Sequence, residues 1–212
     1  MPEQKKVVSL FVFDAKDEKS TRERIKAAAG YYSVHTGETF IEHQFEIKRT
    51  ERGKPYFPNC PEIGVSVSHS GDYFVCALAK GEVGIDLQEH RMLASDTVED
   101  AEIRLRRIAG RFFNPTETEF AEINTFYRFY ALWAAKESYV KYTGTGIDND
   151  FSGFNVLPVN VSDARALDCG NDYRWSALDK EFFFARFKEN YSLCICADGS
   201  YDVKIIYMSR DD

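Results

Sequence analysis

The chain places short apolar runs before and after a middle stretch of helical periodicity. Its first run, Val7-Val8-Ser9-Leu10-Phe11-Val12-Phe13, is rich in β-branched and aromatic residues and reads as a buried strand. Residues 21–32 follow a polar segment and bring Ile25, Ala28, Ala29 and Tyr32 to one helical face. Gly53-Lys54-Pro55-Tyr56 and Pro58-Asn59 interrupt regular structure. Residues 65–68 and 74–79 read as strands joined by the turn Ser70-Gly71-Asp72, and Lys80-Gly81-Glu82 turns into a further strand over 83–87. Beyond His90 the period changes. Residues 97–111 are helical in character, and Asn114-Pro115-Thr116-Glu117 opens another helix with proline at its first position. Residues 124–142 form a long helical stretch closed by Gly144 and Gly146. Strands are predicted again over 154–157, 182–187, 191–197 and 203–208. Both halves set helices before strands, which suggests two similar α+β lobes meeting near residues 85–100.

Composition changes this picture little. The 212 residues are 44% hydrophobic and 29% charged, ordinary for a globular chain able to bury a core. A net charge of −7 disfavours nucleic acid and anionic membrane as partners, so an anionic ligand needs a local basic patch. Cys60, Cys76, Cys169, Cys194 and Cys196 are odd in number and lack metal-ligand spacing, so they read as reduced core thiols. The N-terminal apolar run is short, ends at Asp14 and has no small-residue cleavage site, and no stretch reaches the length of a membrane helix. The expected location is the cytoplasm.

Three places can carry chemistry. Trp133-Ala-Ala-Lys136-Glu137-Ser-Tyr-Val-Lys141 puts residues 133, 137 and 141 four apart on a helix, with 136 and 140 alongside; a plain surface ion pair is the simpler account of it taken alone. Val83-Gly84-Ile85-Asp86 ends an apolar strand in a carboxylate, and Ser66-Val-Ser68-His69-Ser70-Gly71 is a hydroxyl-rich strand end; each also fits an ordinary turn. Together they share a purpose. Asp86 and Glu137 are hard oxygen ligands suited to Mg²⁺, which binds through one or two carboxylates plus substrate phosphates. Lys54, His69, Lys136 and Lys141 could neutralise phosphate oxygens, and phosphoryl transfer asks mainly for positioning and charge stabilisation.

Gly53-Lys54-Pro55-Tyr56, Ser68-His69-Ser70-Gly71, Val83-Gly84-Ile85-Asp86 and Trp133-Ala-Ala-Lys136-Glu137-Ser138-x-x-Lys141 stand in the order of the signature that 4′-phosphopantetheinyl transferases carry. Size and order resemble the surfactin-type branch, as does Arg111-Phe112-Phe113-Asn-Pro-Thr-Glu117. The resemblance runs from about residue 53 to 146. It implies two pseudo-symmetric lobes, 1–95 and 96–212, each a small, mostly antiparallel sheet packed with helices. It further implies a holo-acyl-carrier-protein synthase type of reaction: transfer of the phosphopantetheine arm of coenzyme A to a serine of an apo acyl or peptidyl carrier protein, with release of 3′,5′-ADP. On this resemblance Asp86 and Glu137 hold Mg²⁺, with Gln88 as a third metal position that coordinates through its amide oxygen or leaves the place to water; Lys54, Ser68, His69, Lys136 and Lys141 bind coenzyme A. Lys141 could protonate the leaving phosphate, while Glu137, Glu117 or a metal-bound water could take the serine proton. Lys16, Lys19 and Arg22 are further phosphate candidates without a motif. Arg104, Arg106, Arg107 and Arg111 form either a solvated helix face or a stripe facing the carrier or phosphate. The branch often has an acid where Gln88 stands, which suggests altered metal preference. A non-catalytic coenzyme A-binding relative and a carrier-interaction module are the rival readings, and two internal lobes favour a monomer.

Overall fold

The computed structural model describes residues 5–36, 46–94, 96–147, 150–160, 167 and 172–209. In chain order the elements are β1 (Lys6–Asp14), α1 (Thr21–Thr36), β2 (Lys48–Arg49), β3 (Pro55–Tyr56), β4 (Ile63–Ser70), β5 (Tyr73–Lys80), β6 (Val83–Glu89), α2 (Val98–Phe112), α3 (Pro115–Glu122), α4 (Thr125–Thr143), β7 (Tyr173–Ala177), β8 (Lys180–Phe187), β9 (Tyr191–Ala197) and β10 (Tyr201–Tyr207). The fold is α+β, with largely antiparallel sheets packed against helices, as expected.

Strand alternation sorts the core into layers. Val8, Leu10 and Val12 on one face of β1 pack with Ile85, Phe183 and Ile195, filling the space between two four-stranded sheets. Phe11 and Phe13 on the other face meet Ile25, Ala28 and Tyr32 of α1. The opposite face of the second sheet, with Phe182, Phe184, Cys194 and Cys196, is covered by α4, against which α2 and α3 pack in turn. β1 is therefore buried on both sides, which is why it reads as a continuous apolar run. Burying each of its large side chains contributes about 1.5–3 kcal/mol.

The sheets do not divide the chain at residue 95. Their strand orders are β10-β1-β5-β4 and β6-β9-β8-β7, so the lobes expected at 1–95 and 96–212 exchange a strand at each end. β6 joins the second sheet beside β9, and β10 returns to lie parallel to β1, with Leu10 opposite Ile205. Two further expectations change. Residues 154–157 form no strand, because their backbone polar groups are taken by side chains: Val156 N–H donates to Glu117 Oε1 (2.9 Å), and Trp175 Nε1–H donates to the Val156 carbonyl (2.6 Å). The strand that follows is instead β7, which the sequence reading did not anticipate. Cys60, Cys76, Cys194 and Cys196 are buried free thiols, with Cys194 pushed up to about 12 chiefly by burial, whereas Cys169 lies outside the described residues.

His90, just past β6, stacks on Tyr130 of α4 with ring centroids 4.9 Å apart and bonds through Nε2 to Ser192 Oγ at 2.9 Å. Burial, reinforced by Arg186, lowers its imidazole to about 4. A histidine with a depressed folded value supplies stability above its unfolded value of about 6.5 and loses it as pH falls toward 4. Chemical denaturation is expected to show roughly 2–3 kcal/mol of acid-side loss across that window. His90→Phe should flatten the profile there, and an unchanged slope would show that His90 is not the group responsible.

Candidate active site

The same alternation that buries Val83, Ile85 and Leu87 between the sheets turns Gly84, Asp86 and Gln88 toward α4. Gly84 lets the helix come down. A Cβ at this position would lie 1.9 Å from the Ser138 carbonyl oxygen and 2.4 Å from Tyr142 N, both backbone atoms of α4. Glu137 and Lys141, each one residue before those contact points, are thereby set beside Asp86. Lys141 Nζ donates to Asp86 Oδ1 at 2.6 Å and to Ser68 Oγ at 3.0 Å; Ser68 O–H donates to the same Asp86 oxygen at 2.8 Å. The Gln88 amide donates to Asp86 Oδ2 at 2.7 Å, leaving its own carbonyl oxygen to offer elsewhere. Asp86 is only 2% exposed.

Ser68, His69, Asp86, Gln88, Glu137 and Lys141 line one cleft of about 390 Å³. It shares Arg49, Val67, Glu137 and Lys141 with an adjoining hollow of about 260 Å³ that Lys54 also lines. The pair makes a local basic patch in an acidic protein. Glu137 is raised to about 7, first by burial and then by the charge of Asp86, with Lys141 opposing. Lys54 reaches the C-terminal turn of α4, donating to the Tyr142 carbonyl at 2.6 Å and pairing with Glu82. Arg49 and Arg52 were missed in sequence. Arg49 sits in a two-residue strand with no motif, and its Nη1 donates to the Gly53 carbonyl at 2.7 Å, folding over the Gly-Lys-Pro turn. The only sequence signal for it was a basic residue four before a turn glycine.

Two expected site residues lie elsewhere. Lys136 and Glu117 are both 0% exposed and joined Nζ to Oε2 at 2.9 Å. Lys136 also donates to the Phe154 carbonyl (2.8 Å) and lies 3.9 Å from the centroid of the Phe154 ring. Glu117 accepts from Asn114 N–H as part of the α3 capping box and from Val156 N–H as well. Neither lines the cleft. A turn of about 100° per residue sets Lys136 about 140° from Lys141, so the two cannot serve one phosphate-facing surface. The structure therefore does not bring Lys136, expected as a pyrophosphate contact, or Glu117, expected as a base, to the cleft: both tie α4 to α3 and the 150–157 segment. Of the loose phosphate candidates, Lys16 pairs with Asp72 at 2.8 Å and lines, with Lys19, a different hollow rich in carboxylates. In the arginine stripe, Arg104 pairs with Asp96 and Arg106 with Glu102, leaving Arg107 and Arg111 as exposed side chains of α2.

Among the described residues no group of three or more His, Cys, Asp and Glu side chains gathers as a closed metal site. The donor set that does exist, Asp86 and Glu137 with the Gln88 amide at the side, fits a cation that completes its shell from a substrate and water, as Mg²⁺ does. Among these residues no helix is long and apolar enough to cross a membrane.

The fold is thus an α+β scaffold that brings two carboxylates and an ammonium together in a basic cleft. The family model of the 4′-phosphopantetheinyl transferase superfamily matches residues 82–196, from β6 to β9 and more than half the chain. The chain belongs to this superfamily, on its surfactin-type side. It is 36% identical over 111 residues to a 4′-phosphopantetheinyl transferase of Bacillus subtilis, covering 50% of this chain and 44% of that protein. It is 32% identical over 128 residues to 4′-phosphopantetheinyl transferase Sfp of Bacillus subtilis (strain 168), covering 55% and 52%. With 4′-phosphopantetheinyl transferase psf-1 of Bacillus pumilus it shares 28% over 168 residues, 72% of this chain and 67% of the other. The chain thus spans about half the length of the first two relatives.

If Lys136 and Glu117 act as a buried structural pair, removing one partner strands a charge. Lys136→Met is expected to cost about 3–5 kcal/mol in urea denaturation, and Lys136→Met with Glu117→Gln to recover about half of that. A double variant as unstable as the single one would contradict the pairing.

Proposed function

We propose that this protein transfers the 4′-phosphopantetheine arm of coenzyme A to a serine of an apo acyl or peptidyl carrier protein, releasing 3′,5′-ADP. The observation that carries the reading is the convergence of Asp86, Glu137, Lys141, Ser68 and His69, from β6, α4 and β4, on one cleft. Coenzyme A lies in the cleft with its phosphates toward His69, Arg49 and Lys54. Asp86 and Glu137, with the Gln88 oxygen beside them, would hold Mg²⁺. The ion, when bound, supplies charge neutralisation at phosphate oxygens without proton transfer. Lys141, between Asp86 and the open cleft, meets the charge that develops on the departing 3′,5′-ADP. The carrier serine approaches the phosphorus nearest pantetheine, forming the new P–O bond as the pyrophosphate link breaks. Of the two carboxylates considered for its proton, Glu137 lines the cleft and Glu117 does not.

Fatty-acid, polyketide and nonribosomal-peptide carriers are all candidate partners, and we place the reaction in the cytoplasm with a monomeric enzyme. Gln88 favours one other reading, a coenzyme A-binding relative without turnover, because its amide already occupies an Asp86 oxygen.

Intact mass spectrometry of an apo acyl carrier protein incubated with the protein, coenzyme A and Mg²⁺ tests the proposal. A gain of about 340 Da is expected, lost with chelator or with Glu137→Ala. Coenzyme A binding without any mass gain across the three carrier classes would favour the non-catalytic reading.

A further inference from the structure

We propose that Ser68 is a positioning residue that aims Asp86 and holds Lys141 against it, and that its hydroxyl is not a phosphate ligand. This rests on the reading of Asp86 as a metal ligand.

Ser66, Ser68 and Ser70 alternate along β4 and so share one face. β4 is the edge of the first sheet and β6 the edge of the second, so both strands would leave unpaired backbone groups at their meeting line. The three hydroxyls fill that gap, accepting from Ile85 N–H at 3.1 Å, Leu87 N–H at 3.2 Å and Glu89 N–H at 2.9 Å. Among the described residues, only the hydroxyl of the middle rung also bonds to Lys141 and Asp86.

A serine hydroxyl has one proton and two lone pairs. At Ser68 the lone pairs take Leu87 N–H and the Lys141 ammonium, which directs the proton to Asp86 Oδ1. The hydroxyl's capacity is then fully used on a residue only 7% exposed. It could donate to a phosphate oxygen only by releasing Asp86. With Ser68 and Lys141 on Oδ1 and Gln88 on Oδ2, the carboxylate is pinned in its plane. Partners of this kind typically govern metal affinity by 10–100-fold.

The neighbouring rung provides the control. Ser66→Ala removes the same kind of seam bond without touching Asp86, so it reports the structural loss alone. Mn²⁺ binding, followed by electron paramagnetic resonance at saturating coenzyme A, is expected to weaken about tenfold or more in Ser68→Ala and to stay within about twofold in Ser66→Ala. The two variants should lose similar melting temperature. Ser68→Thr, which keeps the hydroxyl, should bind Mn²⁺ within about threefold of wild type. Coenzyme A affinity measured in chelator should be unchanged in Ser68→Ala. Equal Mn²⁺ affinity in the two alanine variants would overturn the proposal, as would coenzyme A affinity in chelator falling while Mn²⁺ affinity holds. A wild-type protein that binds no Mn²⁺ would overturn the metal reading itself, and this inference with it.

Discussion

The site depends on one close contact between backbones. At Gly84 the helix α4 sits so near β6 that no side chain fits between them, since even a Cβ would fall 1.9 Å from a carbonyl oxygen. That approach fixes the height of α4 over the second sheet. It also fixes its rotation, because the contact is made by Ser138 and Tyr142, one turn apart. Glu137 and Lys141 inherit their places from those two points. Lys54 reinforces the arrangement by capping the last turn of α4 through the Tyr142 carbonyl, where a cation also complements the helix dipole.

Around this contact the two sheets are tied in complementary ways. Strand exchange at both ends joins them through covalent chain, and the serine rungs of β4 close the seam with β6 through hydrogen bonds. The apolar interior between the sheets supplies the driving force, while the polar seam surfaces at one end as the cleft. Asp86 stands at that junction. It is buried enough to make its partners matter and close enough to the open cleft to meet a ligand.

Much of the fold was legible in the sequence because its signals are local. Apolar runs marked β1, β5, β6 and β9, and the proline and glycine positions bounded the helices. The ordered motifs likewise named Ser68, His69, Asp86, Glu137 and Lys141, which the structure brings to one cleft. What stayed hidden depends on the tertiary arrangement. The parallel pairing of β10 with β1 joins residues nearly the whole chain apart, and no local pattern encodes it. Residues 154–157 have the composition of a strand, yet Glu117, Lys136 and Trp175 satisfy their backbone in its place. Lys136 is adjacent in sequence to Glu137 and separated from it by helical rotation. Its burial becomes visible only once Phe151, Phe154 and Glu117 are seen around it. Arg49 was invisible for the opposite reason: a charged residue in a short edge segment has no pattern until the cleft beside it exists.

The most direct test is the rate of the proposed phosphopantetheine transfer in Gly84→Ala, compared with wild type alongside far-ultraviolet circular dichroism. Lifting α4 by even about 1 Å displaces Glu137 and Lys141 from Asp86, and a misplacement of that size is expected to cost on the order of 100-fold in rate. Such a loss is expected with the secondary structure intact. A folded Gly84→Ala protein that keeps its rate within about threefold of wild type would contradict it.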